Sequence, residues 1–193
     1  MMSTDTSKPE GYLTGQLLIA MPQMRDPRFT RTVIYMCAHS STGAMGLVVN
    51  RRVGSLTFTE LLKQLNIGPN RRSEEIRVHF GGPVESGRGF VLHSADYVQN
   101  NTMLVSDNVA LTATIDILRD LAAGGGPKRS ILALGYAGWG AGQLDAEIHA
   151  NGWLSAPADE AIVFDANLEQ KWERAIGKLG VDFSMLSGEA GHA

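Results

Sequence analysis

A chain of 193 residues, 44% hydrophobic and 19% charged, has the material for a buried core and is too apolar to stay unfolded, so it reads as one globular domain. Its net charge of -3 argues against a nucleic-acid partner, because non-specific binding rests on Lys and Arg neutralising phosphates. One cysteine, Cys37, and five scattered histidines leave no intrachain disulfide and no HxxxH or HExxH spacing, so no zinc site, metal or cofactor is expected.

In chain order, residues 1–10 are polar and read as a disordered segment. A single domain is expected over 11–187 and a disordered tail over 188–193. The apolar stretch 13–20 predicts a first strand, ended by Pro22. Its run at 17–21 is far too short to span a bilayer, and neither a basic segment before it nor a cleavage pattern after it marks a signal peptide. The cytoplasm is therefore the expected compartment, with no membrane partner. Pro27 disfavours helix at Asp26, so 24–29 reads as a charged loop. Residues 32–39 and 44–50 predict a hairpin joined at Ser40-Ser41-Thr42-Gly43. Strict alternation puts Tyr35, Cys37 and His39 on one face, and Ile34, Met36 and Ala38 on a core-facing other.

Thr57-Phe58-Thr59-Glu60 fits a capping box, opening a helix with Phe58, Leu61, Leu62 and Leu65 as its stripe and Gly68-Pro69 as its stop. Short strands are predicted at 76–80, 89–93 and 103–105. A second helix is predicted over 109–122, with Leu111, Ile115, Leu118 and Ala122 on one face, before Gly124-Gly125-Gly126-Pro127. Residues 130–136 read as a buried strand, 138–142 as a glycine-rich turn, and the stretch to His149 as a short helix. A strand is expected at 161–164 and a last helix over 168–179, burying Leu168, Trp172, Ala175 and Leu179. Strands in hairpins together with strands alternating with helices favour α+β with a mixed sheet.

The strand, glycine-rich turn and helix of 131–149 are the sharpest local feature. Free amides at a helix start attract anions, so Gly138, Trp139, Gly140 and Gln143 are the candidate ligand-binding residues, with Trp139 able to stack on a ring. Gln143 stands where a dinucleotide fingerprint needs its third glycine, and no P-loop lysine follows. The plainer reading is a structural turn. Cys37 is the redox candidate, since His39 on the same face would favour its thiolate. Two strand positions are roughly 6.5–7 Å apart, however, and an inert buried thiol is the commoner fate. Asp145 and His149, four apart on one helix, form either an acid–base pair or a solvated surface pair. Arg25, Arg28 and Arg31 form either an anion clamp or a surface ion network with Asp26. No residue is assigned as catalytic.

Three runs resemble the YqgE/AlgH family: LLIAMPQMRDPRFTRTVIYMCAHSSTGAMGLVVNR over 17–51, HFGGPV with RGFVLHS over 79–94, and ILALGYAGWGAGQLDAEIHANGWL over 131–154. The resemblance implies a bacterial cytosolic α+β protein whose strongly bent, partly barrel-like sheet is surrounded by about four helices. It supplies no catalytic residue, and some members carry a transcriptional-regulator label. Arg52 stands where similar proteins are expected to have proline, which leaves the exit of the second hairpin strand open. The resulting expectation is a non-enzymatic regulatory or interaction protein, whose partner is an unknown protein or a small anionic ligand. The alternative is an enzyme or redox sensor using Cys37 or the Asp145/His149 pair.

Overall fold

The computed structural model describes residues 12–68 and 76–179; the expected disordered ends, Pro69 and the Arg71-Arg72 pair lie outside the described residues. The first hairpin forms as its pattern predicts. β1 (Gln16–Ala20) pairs with β2 (Val33–Ser40), which turns back as β3 (Gly43–Val48). Helix α1 (Phe58–Gln64) opens with both hydrogen bonds of the capping box between Thr57 and Glu60. Then come β4 (Val78–Phe80), β5 (Val84–Ser94), β6 (Thr102–Leu104) and β7 (Val109–Thr112). Helix α2 (Ile115–Ala122), β8 (Ser130–Gly140), α3 (Gln143–His149), β9 (Trp153–Pro157), α4 (Glu160–Val163) and α5 (Lys171–Lys178) complete the order.

The strands form one sheet in the order β6-β7-β5-β8-β3-β2-β1-β9, with β4 lying parallel to β8 off that path. It curls into a half-barrel, the α+β architecture expected of this sequence. Leu17, Val33, Tyr35, Leu47 and Leu92 fill its interior, and Ile162, Val163, Trp172 and Ile176 from α4 and α5 close it. Outside, α3 packs Leu144 over Ile34, Met36 and Trp139, while α1 and α2 cover Val78, Val91 and Leu132. Strand β2 is thus buried on both faces. Burying each large aliphatic side chain contributes roughly 1.5–3 kcal/mol, so this doubly covered hairpin anchors the fold.

Four local expectations change. Residues 109–112 are strand, because β5 and β6 flank them and a paired ladder outweighs helical spacing. Helix α2 starts only at Ile115, which is 48% exposed, and buries Ile117, Leu118, Leu121 and Ala122. Residues 161–163 belong to helix α4, with Phe164 as its C-cap, and Asp159 caps its start by accepting the Ala161 amide at 2.9 Å. Strand β9, paired along β1, stands where the sequence pattern predicts no element. No helix among the described residues is long and apolar enough to cross a membrane.

Candidate functional site

Strand β8 does not end at Tyr136. Gly138, Trp139 and Gly140 continue its ladder opposite Met45, Ala44 and Gly43 of β3, so the glycine-rich turn shrinks to Ala141 and Gly142, the latter at φ 73. A long partner strand overrides the turn preference of the glycines. Gln143 accepts the Gly140 amide at 3.0 Å and donates to Glu147 at 3.0 Å. The other Glu147 carboxylate oxygen accepts the indole N–H of Trp139 at 3.2 Å and of Trp153 at 3.0 Å. The Trp139 ring is 7% exposed and meets Trp153 edge to face. Of the four expected ligand residues, Gly140, Gln143 and the Trp139 ring are therefore joined in a lock that holds α3 and β9 to the sheet. Glu147 completes it, four residues after Gln143 on the same helical face.

Strict alternation fails in β2 for a physical reason. Met36 faces Gly46 and Ala38 faces Met45, which leaves Cys37 as the extra residue of a β-bulge. Beyond it the faces exchange. Cys37 points into the half-barrel, Ala38 is exposed, and His39 packs on the α3 side. Cys37 and His39 thus lie on opposite faces. Burial pushes the thiol pKa up to about 12, so the neutral S–H form prevails. His39 accepts the Leu13 amide on Nδ1 at 3.0 Å, and its Nε2 sits 3.6 Å from Asp145. Asp145 makes no ion pair with His149. Both nitrogens of His93 are also engaged, by Ser94 and Thr112.

The arginine loop is stapled in place. Arg28 pairs with Asp26 at 2.7 Å, and Arg31 with Glu173 at 3.2 Å while its guanidinium lies over Trp172. Asn50 accepts the Val33 amide and donates to the Arg31 carbonyl, both at 2.9 Å. Arg51 donates to the carbonyls of Pro27, Arg28 and Thr30. The Asn50-Arg51 pair at the hairpin exit therefore ties the loop to the sheet.

Two hollows bear on ligand binding. The first, about 630 Å³, lies on the concave side between β2, β3, β5 and β8. Ala38 and Gly138 give it a low floor, because neither presents more than a methyl group. Met45, Phe90 and Tyr136 wall it, and Arg88 stands at its rim with its guanidinium 5.0 Å from the Phe90 ring centre. Arg88 also approaches Glu85 at 3.6 Å, both side chains being about half exposed. Trp139 offers only its backbone here, since its ring lies on the opposite face of the strand. The second hollow, about 780 Å³, lies between the β3 exit and the connection from α4 to α5. Among the described residues no three His, Cys, Asp or Glu side chains converge as metal ligands would.

A family model described as AlgH-like matches residues 17–184. The chain belongs to the AlgH-like family. A UPF0301 protein of Rhodospirillum rubrum is 55% identical over 192 residues, spanning 100% of each chain, and another from Rhodopseudomonas palustris is 57% identical over 190 residues, spanning 94% of this chain and 87% of its own. The solution structure of the AlgH protein from Pseudomonas aeruginosa superposes with a TM-score of 0.80 at 45% identity, covering 97% of this chain and 99% of that one. A Corynebacterium diphtheriae protein shares the fold alone, at TM-score 0.71 and 19% identity over 94% of each chain. Within this AlgH-like frame the hairpin exit stays ordered: the Arg52 backbone stands opposite His79 in an isolated antiparallel bridge, and the Val53 amide donates to the Val78 carbonyl at 3.0 Å.

Proposed function

We propose that this AlgH-like chain is a cytoplasmic, non-enzymatic regulatory protein that binds a small anionic ligand with a flat apolar body in the concave trough. The observation that carries this reading is the trough itself. A floor without large side chains at Ala38 and Gly138 lies between Met45, Phe90 and Tyr136, with Arg88 at the rim. Phe90 and Tyr136 meet edge to face with ring centres 5.8 Å apart and so form one aromatic wall, against which a planar ring packs in offset or edge-to-face contact, and a guanidinium pairs with carboxylate or phosphate oxygens in a two-pronged geometry. Concave, largely apolar hollows with a few polar groups are the usual form of a small-molecule site. Of the expected ligand residues, Gly138 lies on the floor and Trp139 contributes backbone.

A panel of aryl carboxylates and aryl phosphates in a thermal-shift assay tests the reading. A ligand at 100 times its Kd adds about 2.7 kcal/mol to stability, raising Tm by several degrees. Gly138→Val, which fills the floor, abolishes the shift, and Arg88→Ala weakens it. A panel without hits, or a hit that survives Gly138→Val, contradicts the reading. The alternative based on Cys37 or Asp145/His149 has no comparable support, because the thiol is sealed in the core and Asp145 faces His39.

A further inference from the structure

The second hollow carries a separate inference. It opens between Arg51-Arg52-Val53 at the β3 exit and Ala166 to Glu169 on the far side, with Phe80 forming part of its wall. Arg52 is exposed and makes no hydrogen bond or ion pair with any described residue. That separates it from its neighbours. Arg51 is spent on three loop carbonyls, Arg77 donates to the Ala166 carbonyl at 3.3 Å, and Arg174 pairs with Asp165.

The hollow sits in a concentration of positive charge on a chain whose net charge is -3. Arg51 and Arg52 line it against one carboxylate, Glu169, and Arg77 lines the neighbouring groove together with Asp165. Asp165 is already neutralised by Arg174. Converging positive charge over low-dielectric walls raises the local concentration of anions. The Arg52 guanidinium fork at its edge, unpaired among the described residues, supplies the directional contact that a phosphate oxygen pair needs.

We propose that this hollow is a second anion site, with Arg52 as its principal contact and a phosphate group as its ligand chemistry. Phosphate suits it better than carboxylate, because two charges and three terminal oxygens can face Arg52 and the remaining field together. The site is independent of the trough, since Arg52 and Arg88 line different hollows.

The test is a titration of the full chain with inorganic pyrophosphate at low ionic strength, followed by two-dimensional amide NMR. Binding moves the amide signals of Arg52, Val53, Asn167 and Leu168 along saturable curves, and added KCl weakens it. Arg52→Ala lowers the affinity about tenfold or more, the loss expected for one charge-assisted two-pronged contact. Arg52→Lys, which keeps the charge without the fork, falls between. Arg88→Ala leaves the curves unchanged, and unperturbed signals elsewhere show that each variant is folded. The proposal is overturned if pyrophosphate saturates nothing in this region below about 1 mM, or if Arg52→Ala binds as the wild type does.

Discussion

At the scale of single residues, the side chains that look most reactive are mostly fastened to the structure. Glu147 is the clearest case, accepting two indole N–H groups and one amide N–H. Glu147→Ala leaves those donors without their partner, and an unmade buried hydrogen bond costs about 1–3 kcal/mol. A urea melt should therefore show a loss of about 2 kcal/mol or more with an unchanged m-value; a loss below about 0.5 kcal/mol contradicts this lock. Lys171 is a second case, a buried amine that donates to two carbonyls with no carboxylate of the described residues in ion-pair reach. Neither role was legible in the sequence. Glu147 reads as one more helical carboxylate, and Lys171 as an ordinary residue opening a helix, because a buried partner set depends on where distant strands end.

At the scale of elements, β8 decides the shape. Up to Leu134 its neighbour is the parallel strand β4, and from Ala137 it is β3. Gly81 wedges between them, its amide on Leu134 and its carbonyl accepting the Val48 amide, both at 2.8 Å. Gly135 makes the corner at φ 75, where a Cβ would stand 2.3 Å from the Gly82 carbonyl oxygen. Both the left-handed backbone and the lack of space require glycine. Gly135→Ala should cost more than about 3 kcal/mol or prevent folding, as judged by expression and chemical denaturation; near-wild-type stability contradicts the corner assignment. The capped helix α1 and the first hairpin were legible because local chemistry and pairing agree there. β7, α4 and β9 were not, because each is too short for periodicity to outweigh its neighbours. The extension of β8 was hidden by glycines that suggest a turn when read alone. The bulge at Cys37 was invisible for the same reason that register is: it depends on the partner strand.

At the scale of the whole molecule, buried bases shape stability against pH. Burial lowers His79 to a pKa of about 4, with Lys171 and Arg52 adding repulsion, and burial also lowers His93. Between pH 6.5 and that folded value the unfolded chain holds protons that the folded chain lacks, so stability rises with pH across this window, by up to about 3 kcal/mol from His79. Burial also pushes Lys171 down to about 7. Stability should go on rising from pH 7 towards 8.5 before the buried thiol and tyrosines oppose it, since their folded pKa values are raised and their unfolded forms lose protons first. Lys171→Met should flatten the rise above pH 7 and leave the acidic limb in place. Urea midpoints across the pH range check both limbs, and a profile unchanged above pH 7 in the variant contradicts the assignment.

The same scale holds the functional claim, since the trough exists only because bulge, corner and curled sheet meet around Ala38, Gly138 and Tyr136. The most direct measurement is a fluorescence titration of the folded chain with anilinonaphthalene sulfonate, a flat aryl anion, in wild type, Gly138→Val and Arg88→Ala. The account predicts one saturable site in the wild type, loss of that site in Gly138→Val, and at least about a tenfold weaker Kd in Arg88→Ala. No saturable binding in the wild type, or equal binding in all three proteins, would contradict it.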